Sequence, residues 1–220
     1  MTRPSPFKIT LKILAVTFLA LGAFMGCGLA KPYPAISTFD VSPVESAPPL
    51  SRPVRPYVVM VTPLNVAAAY DTRKLIYKSQ KGQLLEDFYN ELIAPPGRLL
   101  ADSLATYLDL KSPNAQFTRA HGQKGADFVL EGYLAEFLGD FSLTPPAARM
   151  TLAVTLNDVR RERVKIVLAK TYQVRVPVTG QGDKPAPSLI AALTQAFAQV
   201  LTEMESDLTE SFNELQKARK

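Results

Sequence analysis

His121 is the single histidine of this 220-residue chain and Cys27 its single cysteine. Any metal centre or nucleophilic triad would therefore have to be built almost without the side chains best suited to either. His121 lies in Ala120-His121-Gly122-Gln123-Lys124-Gly125, whose glycines mark a loop. No nucleophile-elbow sequence accompanies it, and no second histidine or thiol stands at ligand spacing, so it reads as an exposed loop histidine. Gly180-Gln181-Gly182-Asp183-Lys184 resembles a phosphate loop in part, but it lacks a third glycine and a following Ser or Thr. Pro185 also blocks the helix start that would aim amides at a phosphate, which leaves a linker. These residues assemble no catalytic, cofactor-binding or metal site.

Two charged clusters have the spacing for recognition. Arg160, Arg161 and Arg163, with Lys165 close by, suit anionic lipid head groups or an acidic partner, although Asp158 and Glu162 interleave with them as on a solvated hairpin tip. Glu203, Asp207, Glu210 and Glu214 recur at i, i+4, i+7 and i+11, an acidic stripe away from Met204 and Leu208. Like charges at this spacing repel by about a few tenths of a kcal/mol per pair. The stripe is a candidate partner contact, and its plainer reading is a soluble outer face.

Cys27 is the residue with the most specific setting. Arg3, Lys8 and Lys12 make a basic start without acids, Ile13 to Phe24 is a nearly unbroken apolar run, and small residues flank the thiol. That layout is a secretory signal, too short for a comfortable membrane span. Phe24-Met25-Gly26-Cys27 resembles a bacterial lipobox, with Gly26 small enough for signal peptidase and Phe24 in place of the usual leucine. Residues 1–26 are then a lipoprotein signal peptide, and the mature chain starts at Cys27 carrying acyl chains, palmitate among them. Each buried methylene contributes about 0.8 kcal/mol, so several chains give a stable anchor. The full chain has a net charge of +5, and losing three basic residues with the signal leaves about +2, which argues against a nucleic-acid partner.

Between residues 27 and 56 the chain has Pro32, Pro34, Pro43, Pro48, Pro49, Pro53 and Pro56, and reads as a semi-rigid tether. Gly28 occupies the position where Asp would be an inner-membrane retention signal in enteric-type bacteria, so its presence resembles an outer-membrane address. The expected location is the cell envelope, on the periplasmic face of the outer membrane.

The elements expected from residue 57 to residue 220 form one periplasmic domain. Tyr57–Val61 reads as a buried strand, Leu75–Tyr77 as a short one and Leu84–Ile93 as a strand closed by Pro95-Pro96-Gly97. Pro96 then opens a helix whose Leu100, Leu104, Tyr107 and Leu108 share a face. Phe128, Leu130 and Leu134 alternate with Asp127, Glu131 and Tyr133, while Phe137 breaks the parity, which predicts a bulge near Ala135. Met150–Leu156 and Val164–Val176 alternate likewise around a 157–163 hairpin, with Lys170 as the exception. A closing helix of about thirty residues is expected from near Ser188, with Leu189, Leu193, Phe197, Val200, Met204, Leu208 and Phe212 on its apolar side. The predicted fold is α+β, a two-layer sandwich of a mostly antiparallel sheet with two packed helices, following a lipoprotein signal and a Pro-rich tether.

The order of these pieces resembles a known family. A lipidated cysteine, a proline tether, a Val-rich strand, then Tyr70-Asp71-Thr72-Arg73, Ile76-Tyr77, Phe88-Tyr89 and Pro95-Pro96 before Leu99-Leu100 is similar to the auxiliary lipoproteins of ABC-type lipid transport systems, the PqiC-like proteins. Ala126–Leu134 with Phe137 resembles their central strand. The resemblance implies a non-enzymatic component that docks or receives the conduit of an MCE-domain partner protein, with homo-oligomer formation among its expected properties. An envelope scaffold or assembly lipoprotein, and a periplasmic lipid-binding carrier, stay open as alternatives.

Overall fold

The computed structural model describes residues 35–43, 55–119, 125–179 and 185–218. The chain divides into Met1–Ala35 and Ile36–Lys220, and every element below belongs to the second unit. Its strands are β1 (Ser37–Phe39), β2 (Tyr57–Val61), β3 (Asn65–Val66), β4 (Lys74–Lys78), β5 (Leu84–Leu92), β6 (Ala115–Arg119), β7 (Phe128–Asp140), β8 (Ala147–Asp158) and β9 (Lys165–Pro177). The helices are α1 (Pro96–Lys111) and α2 (Pro185–Lys217).

The longest strands carry the clearest sequence alternation, and they form the centre. β7, β8 and β9 make the expected antiparallel meander. The register of β7 against β8 shifts between Leu134 and Glu136, which places the bulge at Ala135 and returns Phe137 to the buried face. A second shift, at the hairpin end of β8 and β9, pairs Asn157 with Ile166 but Leu156 with Leu168. Ile166 therefore lies on the opposite face from Tyr172, Val174 and Val176 although it shares their parity, and it is exposed along with Val164.

Along its other edge β7 pairs in turn with β2, β3 and β4, each in parallel. Two wings leave from there. One adds β6 to β2 in parallel, and the other adds β5 to β4 antiparallel and then β1 to β5 in parallel. The nine-stranded sheet is thus mixed, with the antiparallel ladders accounting for most of its length. Residues 36–43, which composition assigns to the tether, belong to the folded unit, since β1 pairs with β5 and Val41 is buried in the core.

Both helices pack on the sheet and touch each other, α1 against β6 and β3 and α2 against β7, β8 and β9. Pro96 occupies the first turn of α1, where its missing N–H costs no hydrogen bond. Gly97 next to it admits no side chain, because a Cβ there would lie 2.4 Å from the Leu64 carbonyl oxygen. α2 starts at Pro185, a turn earlier than the Ser188 cap predicts. Pro185 and Pro187 both fall among the first four N–H positions, which have no intrahelical partner, so the helix includes them without loss. Leu100, Leu104 and Leu108 of α1 and Leu193, Phe197, Val200, Met204 and Phe212 of α2 fill the interface with Phe128, Leu130, Met150, Leu152, Val154 and Tyr172. Among the described residues no helix is long and apolar enough to cross a membrane.

Candidate docking surfaces

The basic cluster divides on inspection of its partners. Asp158, nearly buried at the end of β8, accepts hydrogen bonds from Arg160 Nε at 2.9 Å, Arg160 Nη2 at 2.5 Å and the Arg160 amide at 3.1 Å. The Arg160 guanidinium also lies 4.7 Å from the centroid of Phe128 and 5.5 Å from that of Tyr57. Bonding to Arg160 holds the Asp158 carboxyl below its ordinary value, and the Arg160 guanidinium is held up in return. Arg160 therefore caps the Tyr57–Phe128–Phe212 aromatic cluster. Arg161 and Arg163 are exposed, and with Lys165, Leu215 and Ala218 they line a cavity of about 420 Å³ between the hairpin and the end of α2. That cavity has the charge and size for an anionic head group.

The acidic stripe divides in the same way. Asp207 accepts from Lys170 Nζ at 2.7 Å and from Tyr172 Oη at 2.8 Å, so it joins α2 to β9. This explains the break that Lys170 makes in the apolar pattern, since Lys170 pairs with Val154 on the helix side and reaches the helix carboxylate. Asp207 keeps the Lys170 ammonium charged to higher pH than usual, and burial followed by the bond to Asp207 raises the Tyr172 phenol well above its ordinary value. Glu203, Glu210 and Glu214 are exposed. They leave a stripe of three carboxylates facing solvent.

On the sheet face away from the helices, Arg149 binds Glu136 at 2.7 and 2.9 Å and Asp140 at 3.1 Å, and Thr151 Oγ1 donates to Glu136 at 2.9 Å. Burial pushes the Asp140 carboxyl up, but bonds from Ser142 and Arg149 outweigh it and hold the group below its ordinary value. Beside this network lies a groove of about 460 Å³ over Glu131, Tyr133, Ala153, Thr155 and Thr171. Its walls are mixed and it opens to solvent, whereas the helix–sheet interface is filled by side chains.

A third surface has no counterpart among the charged clusters. The β4–β5 hairpin exposes Leu84, Leu85, Phe88 and Tyr89, and Ile93 and Ile36 add to them. The register of β4 against β5 jumps from Lys74–Glu91 to Ile76–Glu86, so residues 87–90 bulge from the ladder. Asp87 holds the bulge: its carboxylate accepts from Tyr77 Oη at 2.7 Å, the Tyr89 amide at 2.8 Å, the Asn90 amide at 2.9 Å and Asn90 Nδ2 at 3.0 Å. Burial raises the Asp87 carboxyl, and these four donors together bring it below its ordinary value. The outcome is a protrusion carrying Phe88, 68 % exposed, edge-on to Tyr89 with ring centroids 5.5 Å apart. Phe88-Tyr89 already stood out in the sequence as a family-like pair. Only the carboxylate just before it, followed by Asn90, signals the bulge.

Cys27, His121 and the Gly180–Lys184 segment lie outside the described residues. Among the described residues no group of three or more His, Cys, Asp or Glu could hold a metal ion.

Residues 38–205 match the family model described as the ABC-type transport auxiliary lipoprotein component. Among solved structures, protein XCC0632 from Xanthomonas campestris, of family-model DUF330, is 20% identical. It covers 84% of this chain and 100% of its own, with a TM-score of 0.65. A second, an uncharacterized protein, is 15% identical over 79% of this chain and 99% of its own, with a TM-score of 0.61. At these identities the likeness is one of fold. No curated protein matches.

Proposed function

The chain belongs to the ABC-type transport auxiliary lipoprotein family, and on that premise we propose that it is the lipid-anchored, non-enzymatic docking component of an MCE-type lipid transport system. In this reading Cys27 is acylated, the domain stands on the periplasmic face of the outer membrane, and it receives or positions the lipid conduit of an MCE-domain protein. The observation that carries the proposal is the family match over 38–205, which takes in nearly all of the sheet and most of α2. The filled helix–sheet interface supports docking over carriage, since a carrier needs an enclosed apolar cavity of about 300 Å³ or more. Gly26-Cys27-Gly28 supports the anchor and the outer-membrane address.

Crosslinking of the lipidated protein in native membranes, followed by identification of captured proteins and lipids, tests this directly. An MCE protein or its permease is the expected catch. A different envelope complex would replace the proposal with a scaffold, and co-purified lipid without either would favour a carrier.

A further inference from the structure

We propose that the Phe88–Tyr89 bulge and the apolar side chains beside it form a second membrane contact, inserted in the head-group layer of the bilayer to which Cys27 is anchored. The inference rests on the anchor part of the proposed function and is independent of the MCE partner.

Chain length carries it first. From Cys27 to Ser37, where β1 begins, is ten residue steps, which reach at most about 36 Å when fully extended. A domain of this size has a radius of gyration of about 16 Å, so the tether is no longer than the domain is wide. β1 pairs in register with the second half of β5, Ser37 with Asn90 and Phe39 with Leu92. Ile36 precedes that ladder by one residue on β1, as Tyr89 does on β5. The wing that presents Phe88 and Tyr89 is therefore the part of the sheet joined to Cys27 by the shortest length of chain.

The disposition of the side chains then favours a fluid surface over a rigid one. Leu84 and Leu85 are consecutive residues of one strand, so they point to opposite faces, and both are about half exposed. Phe88 and Tyr89 likewise emerge together, with Ile93 and Ile36 close by in the ladder. A protein partner covers one face of such a wing, whereas lipid head groups and upper acyl chains close around both. Tyr89 brings a polar tip to an apolar ring, the combination that settles at a membrane–water boundary. Exposed Glu86 lies between the two apolar pairs, and Lys81 sits in the adjoining turn. Charges of both signs at this position belong with head groups and limit insertion to that layer. Elsewhere in the described surface the large exposed apolar residues are Tyr133, Val164 and Ile166. These stand on the open sheet face and at the β8–β9 hairpin, so they do not make a second patch to match the wing.

The sequence contains no tryptophan, so Phe88→Trp introduces a sole indole reporter at an exposed position. The full-length acylated variant is reconstituted into vesicles of phosphatidylethanolamine and phosphatidylglycerol, with and without brominated acyl chains, and its flotation is recorded alongside. Glu210→Trp on the exposed side of α2 serves as the reference. The expected result is a blue shift and loss of intensity with brominated lipid for the indole at position 88, and neither for the one at position 210. Flotation with unquenched emission at position 88, or equal quenching at both positions, overturns the membrane contact while leaving the anchor intact. A blue shift without vesicles that grows with protein concentration also overturns it, in favour of a second copy on the wing. Failure to float overturns the anchor and the contact together.

Discussion

The β7–β9 meander and the β4–β5 wing are made of similar residues and do opposite things with them. In the meander Phe128, Leu130, Met150, Leu152, Val154 and Tyr172 take alternate positions, and the two helices bury them in one core. In the wing Leu84, Leu85, Phe88 and Tyr89 stand in consecutive pairs, and no element of the described structure covers them. Apolar residues at the strand period of two thus build an interior, and apolar residues out of that period build an outward surface.

Truncation at matched aromatic residues tests that division most severely. Phe212 is fully buried and packs on Tyr57 and Phe128, so Phe212→Ala should cost about 3–5 kcal/mol. Phe88→Ala, at a 68 % exposed ring, should change stability by no more than about 0.5 kcal/mol. Urea unfolding of each variant beside the parent protein reads both. A large loss at Phe88 would mean that the wing is part of the core after all.

Asp87 lies between these extremes, because the bulge that displays the rings is held by one partly exposed carboxylate. Asp87→Ala should cost about 1–2 kcal/mol and leave the meander intact. Amide exchange checks it: faster exchange confined to residues 84–92 supports the account, and uniform acceleration across β7–β9 counts against it.

The two regions were unequally legible in the sequence for the same reason. Strict alternation revealed β7, β8 and β9, and the single break at Phe137 was enough to locate a bulge that the register confirms at Ala135. Lys170 was visible as an exception, but its partner Asp207 is thirty-seven residues away in sequence, and only packing brings the two together. Leu84–Ile93 reads as a strand because Pro95-Pro96-Gly97 closes it, although Leu85, Phe88, Tyr89, Leu92 and Ile93 recur at the helical i, i+3, i+4, i+7 and i+8. β1 and β6 are three and five residues long and pair in parallel with strands far away in the chain, an arrangement that leaves little local pattern. Arg160 read as one cation among three, since its stacking on Phe128 and Tyr57 depends on the hairpin folding back.

That capping arginine gives the meander a pH signature. Asp158 has its folded-state value depressed below the ordinary 3.8, first by the Arg160 hydrogen bonds. The unfolded chain therefore binds this proton more readily, so the stabilisation is complete above about pH 4 and fades as pH falls through the lower folded value. Asp158→Asn should flatten the acid limb of a stability–pH curve relative to the parent protein, and an unchanged limb would remove Asp158 from the account. At the other end of the scale Tyr172 is raised above 10.0, so its contribution is present below pH 10 and declines above it. Tyr172→Phe should remove that alkaline decline.

The smallest expected effect on stability is at the acidic stripe, once Asp207 is left out of any charge reversal. Reversing Asp207 along with its neighbours would break its bonds to Lys170 and Tyr172, so weaker partner capture could arise simply from a loosened α2–β9 contact. Glu203, Glu210 and Glu214 are exposed and can be reversed together while Asp207 is kept. The triple Glu→Lys variant should unfold within about 0.5 kcal/mol of the parent, because solvated charges contribute little. If crosslinked capture of the envelope partner falls while the urea midpoint holds, the stripe is a contact surface distinct from the apolar wing. If capture also holds, these carboxylates do no more than keep the outer face of α2 in water, and partner recognition must be sought at Arg161 and Arg163 or on the open face of the sheet.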